Sequence, residues 1–231
     1  MCGRYVLNST PAEVAAVFGV DVRDQFPPRY NIAPTQPIAA IVLNEQRHKS
    51  YALMRWGFIP EWMGEEKGRP MINARSETVS HKPSFKNAFK RRRCLVPANG
   101  FYEWAGKAGA RQPHFIQPTT KGVFAFAGIW ETVLSANGSE VDTVAILTVS
   151  AGLSMQTLHA REPIVIWPEK FDDWLRIDER DTKELTPLLK PQSAAYWAAH
   201  PVSIDVNSPS RDGPSLIVPV ELDNFKTDLF E

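Results

Sequence analysis

Nineteen prolines are spread along the 231 residues rather than gathered into one linker. Proline fixes its own φ, donates no backbone N–H and biases the residue before it away from helix. A chain punctuated this often is cut into short elements joined by many turns. Between the prolines, short runs rich in branched and aromatic residues predict strands at 2–7, 38–43, 51–56, 93–96, 101–104, 114–117, 124–131, 144–150 and 164–167. Thr10-Pro11-Ala12-Glu13 is a capping box with Pro at the first helical position, so a helix should run to about Phe18. Further helices are expected at 83–90, 153–158, 169–175, 182–189 and 194–198. The stretch 27–34, with Pro27, Pro28 and Pro34, reads as an ordered loop. Strands outnumber helices and several connections are hairpin-like. The expectation is an α+β fold with a mainly antiparallel, barrel-like β-sheet, peripheral helices and one domain over residues 1–231.

Charge narrows the partners. Lys+Arg and Asp+Glu both count 26, but residues 1–115 carry 17 basic against 9 acidic side chains and residues 116–231 the reverse balance, 9 against 17. A polyanion is expected on the first half, with Asp172, Asp173, Asp178 and Glu179 contributing to an acidic back. No run of 18 apolar residues and no leader-like N-terminus occurs, so a cytoplasmic protein, nucleoid-associated if prokaryotic, is expected with no membrane partner. Two cysteines, Cys2 and Cys94, suggest free thiols, and no spacing suits zinc. Neither Gly-rich phosphate-loop pattern is present. No cofactor or metal is expected, and the chain is expected to be a monomer.

Several residues could carry chemistry. Cys2 directly follows Met1. Loss of Met1 would leave an α-amine, pKa about 7.7–8.0, beside a thiol, pKa about 8.5. Together they can trap an aldehyde, first as an imine and then as a five-membered thiazolidine. A small residue at a strand start is the plainer alternative. Asn73-Ala74-Arg75-Ser76-Glu77-Thr78 is polar and can equally be a loop with a helix N-cap at Ser76. Glu103, among Phe101, Tyr102 and Trp104, shares a strand face with Phe101, and apolar surroundings should raise its pKa. A paired core glutamate is the alternative. His159 ends a short predicted helix, where a histidine can be purely structural. Cys94 reads as a buried small hydrophobe. From Val79 to Tyr102 there is no acid, but there are Lys82, Lys86, Lys90, Arg91, Arg92 and Arg93. Lys82, Lys86 and Lys90 recur at helical spacing, which an anionic partner would relieve. With Trp56 and Trp62 nearby, cations beside aromatics suit a single-stranded nucleic acid; a solvated helix over a Trp core is the alternative.

Taken together, Met1–Tyr5, Tyr30–Thr35, Arg55–Trp62, Met71–Thr78, Arg92–Trp104 and His159–Ile166 resemble the SRAP family, the SOS response-associated peptidases or abasic site processing proteins. The match spans residues 2–210 in the family's order. The resemblance implies a sensor and shield of abasic sites in single-stranded DNA, with a covalent DNA–protein crosslink. It implies Cys2 as nucleophile, Asn73 orienting the sugar, Glu103 moving protons, and His159 acting on the sugar hydroxyl. Arg4 and Arg75 would hold flanking phosphates. Pro34, Trp56, Trp62, Lys82, Phe85 and Lys86 would lie along the strand. Self-removal of Met1 and a lyase-type activity are further implications. The chain departs from the family at Ala160 and Glu162, where an acidic residue and a Met are usual, which bears on crosslink rate and reversal. Asn99 stands where Asp is more usual.

Two alternatives remain at this point. An N-terminal-nucleophile glutamine amidohydrolase also begins Met-Cys-Gly and uses an Asn-Gly turn, which Asn99-Gly100 could imitate. A non-covalent single-strand binding module would leave Cys2 incidental and bind intact and abasic strands alike.

Overall fold

The computed structural model describes residues 2–22, 26–64, 69–107, 109–135, 137–176, 182–193 and 195–221. Its strands, in chain order, are β1 (Tyr5–Leu7), β2 (Arg29–Ile32), β3 (Pro37–Leu43), β4 (Lys49–Trp56), β5 (Asn73–Arg75), β6 (Arg93–Ala98), β7 (Gly100–Ala105), β8 (Gln112–Pro118), β9 (Phe124–Leu134), β10 (Glu140–Ser150), β11 (Arg161–Pro163), β12 (Val165–Ile166) and β13 (Trp197–Pro201). Among the described residues short α-helices lie around them: α1 (Pro11–Phe18), α2 (Ser76–Val79), α3 (Lys86–Arg91) and α4 (Phe171–Leu175). The α+β, strand-dominated expectation holds.

A ring of hydrogen-bonded strands, β10-β4-β3-β6-β9, closes where β9 pairs with β10. Its pairings are antiparallel except β10 with β4. The sequence reasons are plain. All six residues of β6 are buried, and the middle of β10 is the continuous apolar run Val144–Leu147. Such strands satisfy their backbone only in a ladder covered on both faces. Gly128 on β9 faces Cys94, where an added Cβ would stand 2.6 Å from the sulfur, so the two strands approach only because glycine has no side chain. Trp56, Met54 and Phe126 are each fully or nearly fully buried, worth about 1.5–3 kcal/mol of burial apiece.

The second sheet, β13-β8-β7-β1-β2, is covered on both sides. Phe101 packs toward the barrel, 6.0 Å from the Phe126 ring, while its neighbour Tyr102 turns to a smaller cluster with Val6, Phe115, Val206 and Leu216. The C-terminal segment supplies the last two of these. Gly100 has no room for a Cβ, which would meet the Phe115 ring at 2.4 Å and the Ile116 carbonyl at 2.7 Å.

The capping box on α1 forms as expected. The Thr10 side chain accepts the Glu13 N–H, Glu13 reaches back to the Thr10 N–H, and Gly19 closes the helix in the left-handed region. Other expectations change. Residues 29–32 are a strand, not a loop, because they pair with β1. The first strand starts at Tyr5 rather than Cys2. The helix expected at 83–90 is α3, beginning at Lys86 after a turn. Residues 153–158 form turns. The helix expected at 194–198 gives way to β13; Ala194 lies outside the described residues, and Trp197–Pro201 pair along β8. There the open edge of β8 and the packing of Trp197 on Phe101, at 5.2 Å, override alanine's helix preference. Asn73–Arg75 is a strand, and α2 starts after Arg75 without a side-chain cap, so Ser76 is not its N-cap.

Candidate active site

Cys2, Asn73, Glu103 and His159 come from four distant parts of the chain and are linked in space, Asn73 to Cys2, Cys2 to Glu103 and Glu103 to His159. β1 pairs antiparallel with β7, Tyr5 opposite Phe101, and the Tyr102 N–H is donated to the Arg4 carbonyl. This register runs the N-terminus toward Glu103. β5 runs parallel to β10, with Asn73 opposite Ile146, and β11 runs antiparallel to the end of β10, with Arg161 opposite Ser150. Strand β10 therefore carries the Asn73 segment and the His159 segment on its two sides.

The Asn73 Nδ2 donates to the Cys2 carbonyl at 2.9 Å, and the Asn73 Oδ1 is buried without a donor among the described residues. The amide thus fixes Cys2 with one atom and keeps an acceptor for a ligand hydroxyl. Cys2 is 1% exposed in the chain that carries Met1. Burial, with the Glu103 charge second, pushes its thiol pKa well above the ordinary value. Glu103, 3% exposed on the Phe101 side of β7, has its pKa raised by burial; the amino-terminal charge and His159 pull the other way. His159 Nδ1 lies 2.9 Å from the Arg161 backbone nitrogen and 3.1 Å from the Arg161 carbonyl oxygen, so the backbone of Arg161 holds the ring through that nitrogen. The arrangement offers a nucleophile, a carboxyl that stays protonated above the usual carboxylate range, an imidazole held by its neighbouring backbone and an open amide acceptor. Among the described residues no group of three or more His, Cys, Asp or Glu side chains converges as a metal site would.

The residues expected along a nucleic acid divide into two groups. Arg75, Lys82 and Lys86 are exposed, as are Lys90 and Arg91. Trp62 is 67% exposed on a 3-10 turn, beside a groove of about 690 Å³ toward Leu134. Pro34 is half-buried, in a turn fixed by the Thr35 N–H donated to the Trp56 carbonyl at 2.7 Å. Arg4 is half-buried, its Nη1 held by Asn31 Oδ1 and the Val206 carbonyl, both at 2.8 Å. Trp56 and Phe85 are corrections: neither presents a face to a base in this structure. Trp56 is fully buried against Tyr5 at 5.3 Å and donates to the Ile72 carbonyl. Phe85, 3% exposed, anchors the basic segment on Phe58, with the Lys82 ammonium over its ring at 5.2 Å. Arg93 also leaves the basic face: its guanidinium caps carbonyls of Phe89, Lys90, Trp174 and Arg176 at the ends of α3 and α4. Arg92 pairs with Glu131 and stacks on Trp130. On the acidic half, Asp172 pairs with Lys49 and Asp173 with Lys170, while Asp178 and Glu179 lie outside the described residues.

Three features escape the sequence reading. Asn31 threads the C-terminal segment, donating from Nδ2 to carbonyls of Ser208 and Arg211 while it holds Arg4. Arg161 and Glu77 form a two-pronged ion pair at 2.7 and 2.9 Å that ties β11 to α2. Glu162 is buried, with both oxygens on backbone N–H groups. The charge signs of Arg161 and Glu77 were visible, but their pairing depends on two segments meeting across β10. The Asn99 side chain is also committed: its Oδ1 accepts the Asn8 and Ser9 N–H groups and its Nδ2 donates to the Ser9 hydroxyl. That leaves it unsuited to the oxyanion turn of an amidohydrolase.

A fold of this kind, with such a site at the start of the chain, is matched by one family model, that of the SOS response associated peptidases, over residues 1–209. The chain belongs to this family. It is 36% identical over 222 residues to the abasic site processing protein YoqW of Bacillus subtilis, covering 94% of this chain and 99% of that one. It is 30% identical over 231 residues to the abasic site processing protein YedK of Escherichia coli, covering 95% and 100%. The abasic site processing protein HMCES of Gallus gallus is 35% identical over 194 residues, covering 73% of this chain and 57% of the relative. A crystal structure of a protein from Bacteroides thetaiotaomicron shares the fold, with TM-score 0.86 and 23% identity over 95% of this chain and all of that one.

Proposed function

We propose that this chain recognises abasic sites in single-stranded DNA and captures them covalently through Cys2. Relatives along its whole length are named abasic site processing proteins, and that processing is the coarse part of the reading. The observation that carries the finer part is the convergence of Cys2 with Asn73, and of Glu103 with both Cys2 and His159. Residues 1–231 act as one domain in this reading.

The chemistry follows from the groups present. Hydrolysis of the Met1–Cys2 bond consumes one water and frees the Cys2 amine, a step for which Glu103 is the adjacent base. The ring-opened deoxyribose presents an aldehyde, with His159 passing the proton between ring oxygen and hydroxyl. The Cys2 nitrogen bonds to the aldehyde carbon. One amine proton passes to the aldehyde oxygen, a proton held by the Glu103 carboxyl, whose pKa burial raises, completes water as the C–O bond breaks, and the second amine proton returns to Glu103, leaving an imine. The Cys2 sulfur then bonds to the imine carbon, its proton passing to the nitrogen, and a thiazolidine closes. A thiol held above its ordinary pKa favours this order, amine first and sulfur second. Reversal through the same imine is the lyase-type component. Arg75, Lys82, Lys86 and Trp62 offer phosphate and stacking contacts on the exposed side.

The test is incubation with a single-stranded oligonucleotide holding one abasic site, then denaturing electrophoresis. A heat-resistant shifted band should form with the wild-type chain and vanish in Cys2→Ala. Equal bands in the two proteins, or equal binding of intact and abasic strands with no band at all, would overturn the covalent reading.

A further inference from the structure

His159 sits near the end of the 151–160 segment that joins β10 to β11. A closed circuit of hydrogen bonds surrounds it. The Glu162 Oε2 accepts the Gly152 N–H at 2.9 Å. The Gly152 carbonyl accepts the Met155 N–H at 3.0 Å, and the Met155 carbonyl accepts the His159 N–H at 2.9 Å. The His159 Nδ1 lies 2.9 Å from the backbone nitrogen and 3.1 Å from the carbonyl oxygen of Arg161, the residue before Glu162. Met155 is fully buried, so the circuit is pinned to the core at its middle.

Glu162 is where the circuit closes. It is 1% exposed, and its other oxygen accepts the Gln192 N–H at 2.7 Å. A carboxylate withdrawn from water persists where N–H donors reach it, and such charge-assisted bonds are stronger than neutral ones. Gly152 is fitted to the same place: a Cβ there would stand 3.1 Å from the Gln192 carbonyl and 3.5 Å from Glu162 Oε2. Alternation along β11 sends Arg161 out to Glu77 and Glu162 in to Gly152.

We propose that Glu162 is a positioning residue for His159. Its carboxylate sets the start of the 151–160 segment and, through Gly152 and Met155, the backbone and ring orientation of His159. This rests on the proposed covalent capture, in which His159 handles the sugar proton. Glu162→Gln keeps one acceptor but turns an NH2 toward the other N–H, so the segment should loosen without a large loss of core.

The test is a double-mutant cycle on crosslinking rate across pH 5–9, with wild type, Glu162→Gln, His159→Gln and the double variant. Glu162→Gln should slow crosslinking about tenfold and alter the pH limb that His159→Gln removes. In the His159→Gln background it should have no further effect. Nitrogen-15 spectra of the imidazole should show one dominant tautomer in the wild type and a mixture of tautomers in Glu162→Gln. Gly152→Ala, which presses on the same brace, should reproduce the rate effect if Glu162→Gln folds poorly. Equal slowing in both backgrounds, or an unchanged imidazole spectrum, overturns the positioning role. Absence of any crosslink in the wild type defeats the function reading itself, and the imidazole spectrum then still decides whether Glu162 orients the ring.

Discussion

A carboxyl buried on the Phe101 side of β7 is costly to ionise, and Glu103 is such a group. A folded pKa above the unfolded one contributes stability that is full below the unfolded value, about 4.3, and lost as pH rises through the raised value. At pH 7 that stability is reduced, so burial of Glu103 is a burden on the fold there. Glu103→Gln is expected to raise the thermal midpoint at pH 7, roughly 2–4 °C for each kcal/mol relieved, and to lose that advantage below about pH 4. The same variant should crosslink abasic DNA more slowly. Thermal scans at pH 4 and pH 7 check the first statement, and an unchanged or lowered midpoint at pH 7 contradicts it. The type of group at this position was legible from four residues of sequence. That its carboxyl faces Cys2 rather than a core cation was not, because the register of β1 on β7 decides it.

Short elements here are held less by their own propensity than by side chains reaching between them. Helix α3 has six residues and α4 five, too few to persist alone. Arg93 donates to carbonyls at the ends of both, which is why a residue from a basic run is buried at 5% exposure. Arg161 and Glu77 do the corresponding work beside the site. The guanidinium holds the Glu77 carboxyl at a pKa of about 2, through its hydrogen bonds first. A depressed carboxyl pKa contributes stability that is present above the unfolded value and lost as pH falls through the folded one. Because Glu77 is 45% exposed, solvent screening keeps the contribution under about 1 kcal/mol at pH 7. Urea unfolding of Glu77→Gln should show that small deficit at pH 7, closing between about pH 4.5 and pH 2. A deficit that persists unchanged at pH 2 would show that the pair's charge is not its source.

At the scale of the molecule, equal totals of 26 acidic and 26 basic side chains conceal a first half with an excess of cations. After Arg92 and Arg93 are spent internally, Arg75, Lys82, Lys86, Lys90 and Arg91 remain on the surface. Reversible binding of intact single strands should therefore be weak and salt-dependent, and Lys82→Ala with Lys86→Ala should reduce the log–log salt slope by about 1.4 if each side chain meets one phosphate. Fluorescence anisotropy over a salt series measures it, and an unchanged slope would remove these lysines from the DNA path. The strand-rich class, the cap of α1 and the chemistry-bearing residue types were determined by sequence alone, because turn geometry, capping and the intrinsic reactivity of a side chain are local properties. Tertiary structure decided which cations and aromatics face outward, that residues 197–201 are strand, and that His159 from the acidic half faces Glu103, which in turn faces Cys2. Those outcomes depend on pairings between segments tens of residues apart, where an open sheet edge or a filled core outweighs the fraction of a kcal/mol by which local preferences differ.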